Sequence, residues 1–264
     1  MGDLSLRVSV ATLARVTLRH PQDGTEMLAL ERKATLIKSG PHPQVRVRAQ
    51  PFGGAIRLRD PSRLRAQVGD FRFDSRRSQD ESDFRILVRP SDWPAVRDFC
   101  IRHLQHPSDP ALETEPDREL IEEFYDTLGV RLAPNQYTAR PLAILVENRP
   151  ERTENIHASG YPTARIYWVF EVKILDDSLA QAMIENSTRY RDPDLHQLTL
   201  RNAGSGRPGR ANAILTLPLK MLTDRYLAIP PEKRGEPLKL EDHLLDGNVP
   251  AVLADVPVPK YRRL

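Results

Sequence analysis

Apolar and polar positions alternate through the first sixty residues of the chain. Residues 8–18 (VSVATLARVTL) are rich in β-branched side chains and alternate, which predicts a strand, and a turn at 21–26 leads to a second strand at 27–33. Over 41–60 the alternation continues on both sides of a glycine pair at 53–54, with arginines between the apolar residues. We therefore predict a hairpin and then two strands that flank the glycines and keep one wet face.

The middle of the chain changes to helical spacing. Residues 60–90 mix charges of both signs, which predicts an exposed excursion that ends in one short strand (FRILV). A helix follows at 91–107, with Ser91 as its predicted N-cap. A second helix spans about Asp117 to Leu128, where Asp117 can cap the start and a glycine follows the end.

The last third of the chain returns to strand patterns. The strongest strand signals lie at 140–147 and 164–175, and a helix is predicted at 177–190. We interpret 201–213 as a basic, glycine-rich loop and 213–229 as a strand that turns into a helix around a proline. This mixed order predicts an α/β or α+β sandwich with a mixed sheet.

Length and composition limit the class of protein. The 264 residues fit one large domain, which we place at 1–230, with an insertion at about 55–115 and a proline-rich C-terminal extension at 231–264. The net charge of +3 gives no clear nucleic-acid signature. One cysteine excludes an intramolecular disulfide, and no apolar run is long enough to span a membrane, so we expect a cytoplasmic protein. A homo-oligomer stays open, with the insertion as a candidate contact surface.

The stretch RELIEEFYDTLGV at 118–130 carries three glutamates on one side of the second helix. Glu119, Glu122 and Glu123 are spaced i, i+3 and i+4, so they share a face and repel one another by roughly a few tenths of a kcal/mol per pair. Two explanations fit this pattern. The glutamates are a solvated helix face, as is usual for this residue, or they are hard oxygen ligands for Mg²⁺ or Mn²⁺.

The neighbouring motifs favour the second explanation. RELIEE resembles the core of the Nudix box, G-x5-E-x7-R-E-U-x-E-E-x-G-U, and the glycines of PFGGAIRL resemble the strand-loop that opens the box. The order of elements over about 8–229 is also similar to the Nudix superfamily. Gly54 and Arg118 lie 64 positions apart, so this chain needs an insertion of about fifty residues relative to the box. Pro110 stands where the box has its first glutamate, and Glu113 or Glu115 is a substitute.

The resemblance implies a divalent-metal-dependent hydrolase that attacks a nucleoside-diphosphate-linked substrate with water, using Mg²⁺ or Mn²⁺. The metal ligands that it implies are Glu119, Glu122, Glu123 and the Gly54 carbonyl. The catalytic residues that it implies are Glu122, Glu123 and Arg118, where Arg118 orients Glu119 or the loop. Gly53 would permit a close backbone approach. Candidate substrate-binding arginines are Arg46, Arg48 and Arg57, and candidates for a separate general base are Glu185, Asp192 and Asp194.

Alternatives stay open for each of these features. The interrupted first half of the box favours a catalytically silent Nudix-like domain that binds or senses a nucleotide. The arginines around the glycine pair also fit the wet face of an edge strand. The arginines and glycines of 201–213 fit either a phosphate cradle or a surface loop.

Overall fold

A computed structural model of the protein describes residues 5–37, 44–106, 108–146, 150–152 and 160–221 and the backbone of 262–263. The strands are β1 Leu6–Arg19, β2 Glu26–Ile37, β3 Gln44–Gln50, β4 Arg72–Phe73, β5 Arg85–Val88, β6 Tyr137–Val146, β7 Glu151–Arg152, β8 Pro162–Ile174, β9 Arg210–Pro218 and β10 Arg262–Arg263. The helices are α1 Pro61–Val68, α2 Arg76–Asp80, α3 Trp93–Leu104, α4 Asp117–Leu128, α5 Asp177–Arg189 and α6 Asp192–Gly204, with a 3₁₀ turn at Pro90–Asp92 before α3.

One mixed sheet organises the fold. Its main path is β10-β6-β8-β1-β2-β3, and β9 joins it by pairing with β2. The central pair, β1 and β8, is parallel over eleven residues of each strand, from Arg7 opposite Thr163 to Thr17 opposite Lys173, whereas the other pairs are antiparallel. The structure is therefore an α+β sandwich with a mixed sheet, as the sequence predicted.

The second edge of β1 is divided among three segments, and this division positions the glycine pair. β5 pairs with the start of β1, at Leu6–Ser9, and β2 pairs with its end, at Val16–Arg19. Between them the chain around the glycines crosses β1 through isolated bridges, Ala55 to Ala11 and Phe52 to Ala14. The glycines are therefore attached to the centre of the sheet.

β2 is the strand that links this centre to the rest of the site. Its second half, from Glu31 onward, pairs with β3 on one side, and β9 pairs along its other side. Apolar residues of α6 and of the sheet, Leu195 with Ala34 and Ala213, pack together on one face of β2. On the opposite face Lys33 and Glu31 are directed towards α4. α5 lies along the outer edge of β9, where Asn186 Oδ1 accepts a hydrogen bond from Ile214 N–H.

The insertion is part of the core, so the prediction of an exposed excursion at 60–90 is wrong. Its closing strand β5 pairs with β1, and apolar side chains within it are fully buried, among them Leu64, Phe84 and Ile86. Its arginines form ion pairs with carboxylates of the same segment, for example Arg59 with Glu115 and Arg85 with Asp83. Its membership of the sheet depends on pairing with residues about eighty positions away, which local composition does not report.

Several local predictions also need correction. The second strand after the glycines is replaced by isolated bridges. Ser91 lies within a 3₁₀ turn and does not cap α3. The segment 201–213 is not one loop, because 201–204 end α6 and 210–213 begin β9. The helix α6 was not predicted.

The predicted C-terminal extension, 231–264, lies outside the described residues except for 262–263, which pair with β6. The same holds for most of the helix predicted after Pro218, of which 219–221 are helical. In the part of the chain that the structure describes, no helix is long and apolar enough to cross a membrane.

Candidate active site

The helix α4 forms where the sequence predicted it. Leu120 and Phe124 are fully or nearly fully buried on its inner side, and the ring of Phe124 packs on Phe52 with 4.9 Å between centroids. Gly129 ends the helix in the left-handed conformation (φ 69°), as a C-terminal glycine should. The predicted cap is wrong, because Asp117 lies inside the first turn and accepts a hydrogen bond from the Tyr137 hydroxyl. The inner face is thus fixed, and it sets the direction of the glutamates.

Both glycines of the pair make close contacts. Gly53 has φ +145°, and a Cβ on it would overlap with the Thr12 carbonyl of β1. A Cβ on Gly54 would overlap with the Glu119 carboxylate. The Gly54 carbonyl accepts a hydrogen bond from Thr12 N–H at 2.9 Å, which leaves its second lone pair. The fold therefore brings the glycine pair against the acidic helix.

Arg118 joins the glycine segment, the insertion and α4. Its Nε and Nη2 donate to the Glu113 carboxylate at 2.9 and 2.7 Å, and Nη2 also donates to the Ala55 carbonyl at 3.0 Å. Burial lowers the pKa of Arg118, but the hydrogen bond to Glu113 and the charges of Glu119, Glu113 and Glu122 outweigh burial, so the pKa is raised. Of the two substitutes for the first box glutamate, Glu113 contacts Arg118, while Glu115 pairs with Arg59.

Glu119 and Glu122 differ in environment although they share a helix face. Glu119 is 9% exposed and lies 2.6 Å from Arg118 Nη1. Burial raises its pKa, with Arg118 opposing this shift and Glu122 adding to it. The Glu122 side chain is 59% exposed and lies 3.3 Å from the same nitrogen. Arg118 is therefore ion-paired with the buried Glu119, and the more exposed Glu122 lies on the outer side of the same helix face.

Glu123 meets a fourth carboxylate that the sequence analysis missed. Burial raises the pKa of Glu123 to about 8, and Glu31 adds to the rise through its charge and a hydrogen bond. Glu31 is fully buried on β2. Lys33 Nζ lies 3.2 Å from a Glu31 oxygen and 4.0 Å from Glu123, and Gln50 donates to Glu31 at 2.8 Å. Glu31 and Glu123 share one lysine, and burial beside a second carboxylate favours the protonated form of Glu123.

We call the four carboxylates Glu31, Glu119, Glu122 and Glu123 the acidic cluster. The sequence contains only a weak signal that Glu31 belongs to this cluster. Residues 27–37 read MLALERKATLI, in which a glutamate stands in the middle of an apolar strand. The pairing of β2 with distant strands, and not the spacing of residues along the chain, brings Glu31 opposite α4.

The sheet face below α4 is polar across three strands. Glu31, Lys33 and Thr35 of β2 have Cα partners on β3 and on β9, and such partners share a face. The β3 partners are Gln50, Arg48 and Arg46, and the β9 partners are Ile214, Asn212 and Arg210. Two of the predicted substrate arginines, Arg46 and Arg48, therefore lie on the face of the acidic cluster.

The other candidates lie elsewhere. Arg57 is exposed, and its backbone, not its side chain, contacts Glu113 through N–H and C=O bonds. Asp192 lies 3.4 Å from Arg32 on the opposite face of β2, and Asp194 accepts a hydrogen bond from Arg191 N–H at the start of α6. Glu185 lines a cavity beside the C-terminal end of α4. The structure thus places one of the three candidate bases near the acidic helix.

The donor chemistry of the cluster fits a hard divalent cation. All its donors are carboxylate oxygens, and burial, with neighbouring carboxylates adding to it, raises the pKa values of Glu119 and Glu123. In the arrangement that the described residues adopt, no three His, Cys, Asp or Glu side chains are close enough together to hold a metal ion. The carboxylate oxygens are thus of the type that a hard cation prefers, but the described side chains are not arranged around a common point, and Arg118 is ion-paired with Glu119.

Comparisons with protein-family models, with curated proteins and with solved structures find no match. The Nudix resemblance therefore rests on the residues of the sequence that carry it.

Proposed function

We propose that the protein is a divalent-metal-dependent hydrolase of a nucleoside-diphosphate-linked substrate. The observation that carries this proposal is the contact between Gly54 and Glu119, 65 positions apart in the sequence. A glycine loop against the first glutamate of the acidic helix is what the resemblance to the Nudix box requires. The insertion leaves this contact in place.

The acidic cluster is the proposed centre of the reaction. Glu119, Glu122 and Glu123 would hold the cation, and the Gly54 carbonyl, which also accepts a hydrogen bond from Thr12 N–H, is the further ligand that the resemblance implies. When bound, Mg²⁺ would neutralise charge on the phosphoryl oxygens and lower the pKa of a bound water. Arg118, held by Glu113, keeps Glu119 in position.

Glu31 has a proposed role that it exerts through Glu123. Burial raises the pKa of Glu123 and Glu31 adds to the rise, so Glu123 would release a proton when a cation binds, since a bound metal favours deprotonated ligands. Glu31 lies behind Glu123 and is fully buried. It is a positioning residue in this scheme, because it acts through Glu123.

Arg46 and Arg48 would attract the substrate. They lie on the same sheet face as the cluster, and guanidinium groups favour phosphate oxygens. Their expected effect is on substrate binding rather than on the chemical step.

A second candidate function is nucleotide binding without cleavage. The ion pair of Arg118 with Glu119 at 2.6 Å favours it, because this pair satisfies a predicted metal ligand from within the protein. Binding of this kind would be independent of the metal.

Turnover of a diphosphate panel separates the two functions. The panel holds nucleoside triphosphates, nucleotide sugars, dinucleotide cofactors and dinucleoside polyphosphates, each with Mg²⁺, Mn²⁺ or EDTA. We expect metal-dependent release of nucleotide or phosphate that Glu122→Gln and Glu123→Gln abolish. Glu185→Gln tests a separate base, and Asp98→Asn, at an exposed carboxylate of α3 away from the site, is the control. No turnover, together with metal-independent thermal stabilisation by one compound, would instead identify a binding domain.

A further inference from the structure

A cavity of about 620 Å³ opens beside the C-terminal end of α4. Residues of α5, α6 and the start of β9 form its other walls. The volume lies within the range of small-molecule sites, roughly 300–1,000 Å³. None of the residues predicted to bind the metal lines it.

Two buried polar atoms in the cavity wall have no hydrogen-bond partner among the described residues. They are Thr127 Oγ1 and Asn212 Oδ1, and Thr127 as a whole is only 8% exposed. An unpaired buried polar atom costs about 1–3 kcal/mol, so proteins rarely leave one without a reason. The two atoms are shielded from solvent, but their residues lie on different elements, α4 and β9, and line the same cavity. A rotation of either side chain would turn its unpaired oxygen towards a polar group bound there.

The charges of the wall indicate what kind of group fits. Arg189 and Arg210 line the cavity together with Asp126 and Glu185, so two positive charges face two negative charges. A neutral polar group suits this wall better than a phosphate. The guanidinium of Arg189 lies 5.3 Å from the ring centre of Tyr190, which gives the wall a planar surface for stacking.

The cavity adjoins the acidic cluster on two sides. Glu123 and Thr127 are spaced i, i+4 on α4, so the cavity begins about one helical turn, roughly 5.4 Å, beyond Glu123. On the sheet, Asn212 is the Cα partner of Lys33, whose ammonium lies 4.0 Å from Glu123. A substrate with its diphosphate at the cluster would therefore place its attached group here.

We propose that this cavity binds the nucleoside of the diphosphate-linked substrate, a proposal that rests on the proposed function. Asn212 Oδ1 accepts a hydrogen bond from a ring or exocyclic N–H of the base, and the Thr127 hydroxyl bonds a second polar atom. The planar Arg189 side chain packs against the ring. The phosphates extend from the cavity to the acidic cluster.

Binding in the absence of metal tests this assignment directly. Calorimetric titration of the wild-type protein in EDTA with the four common ribonucleosides and their 5′-monophosphates should detect binding of at least one. Asn212→Leu should weaken that binding at least fivefold and Thr127→Val about fivefold, because each loses a hydrogen bond worth about 1 kcal/mol. Arg210→Gln, at a side chain that is more than half exposed, is a third variant with little risk to folding. Thr188→Val, an exposed position of α5, is the matched control and should bind as the wild type does.

The outcomes separate this proposal from the hydrolase. If no nucleoside or nucleotide binds at millimolar concentration, or if folded Asn212→Leu, Thr127→Val and Arg210→Gln proteins all bind as the wild type does, the cavity assignment is wrong. Metal-dependent turnover with an unchanged KM in these variants would also overturn the cavity assignment, but it would support the hydrolase. Nucleoside binding in EDTA without any turnover would contradict the hydrolase and support the cavity assignment.

Discussion

The start of β1 and the acidic cluster both bury charged side chains, but the two regions differ in how these charges are balanced. At the start of β1, Arg7 and Asp74 form an ion pair at 2.8 Å, and both side chains are about 5% exposed. In the acidic cluster four carboxylates share Arg118 and Lys33, and Arg118 is also bound to Glu113. The first arrangement is balanced, while the second has excess negative charge. A buried pair that loses one partner leaves an unpaired charge in the interior, whereas several buried carboxylates with raised pKa values are common at functional sites.

The largest effect should come from breaking the balanced pair. Asp74→Ala would leave Arg7 buried without its partner, which we expect to lower the free energy of unfolding by about 3–5 kcal/mol. Urea denaturation measures this change. Asp98→Ala is the control, because its partner Arg97 lies on the surface, and it should cost less than about 1 kcal/mol. Equal effects of the two variants would mean that the Arg7–Asp74 pair is not a structural anchor.

The cluster should show the opposite behaviour, in which removal of a charge stabilises the protein. An unfolded glutamate has its ordinary pKa of 4.5, and the folded Glu123 has a pKa of about 8. As the pH rises, the unfolded chain loses this proton first, so stability that is fully present below pH 4.5 is lost by about pH 8. We expect Glu123→Gln to be more stable than the wild type at pH 8, by on the order of 3 kcal/mol, and similar at pH 5. Urea denaturation of both proteins at the two pH values, without metal, provides the measurement, and parallel pH profiles would contradict the assignment.

Alanine substitutions at Gly53 and Gly54 should show that the first glycine matters for stability and the second for metal binding. Gly53→Ala should lower the free energy of unfolding by about 2 kcal/mol or more, because it combines a positive φ with overlap on the β1 backbone. Gly54→Ala meets only the end of the Glu119 side chain, so we expect a stability change below about 1 kcal/mol. Its effect should instead fall on metal affinity and turnover.

Gly204→Ala is the control for both glycine variants, since a Cβ there meets open space. Thermal unfolding and metal titration of the three proteins make the comparison. Unchanged metal affinity in Gly54→Ala would mean that the contact between Gly54 and Glu119 does not matter for metal binding, and the proposed function would lose its main support.

The sequence predicted the parts of the fold that depend on neighbouring residues. α4 is predictable because Leu120 and Phe124 have helical spacing and Gly129 marks its end. β8 is predictable because its apolar run is long enough to identify a buried strand on its own. The fold class follows from the order of such elements.

The site was less predictable because long-range pairing builds it. Glu31 becomes important only when β2 pairs with β3 and β9 below α4. Asn212 was assigned to a loop, yet it is a β9 residue opposite Lys33. Glu113 pairs with Arg118, but the spacing of the motif does not predict its position, because about fifty additional residues separate the glycines from the helix. Each of these positions depends on how distant segments pair, and spacing along the sequence does not show that pairing.

The excess charge of the cluster should also be visible in metal binding itself, which is the most direct test of the proposed centre. We would titrate the wild-type protein with Mn²⁺ at pH 7 by calorimetry in buffers of different ionisation enthalpy, which reports the protons released on binding. We predict Mn²⁺ binding with proton release from the Glu31–Glu123 pair, absent or strongly weakened in Glu119→Gln and Glu123→Gln but retained in Asp126→Asn. No binding at millimolar Mn²⁺, or equal binding by all four proteins, would contradict a metal centre at the acidic cluster.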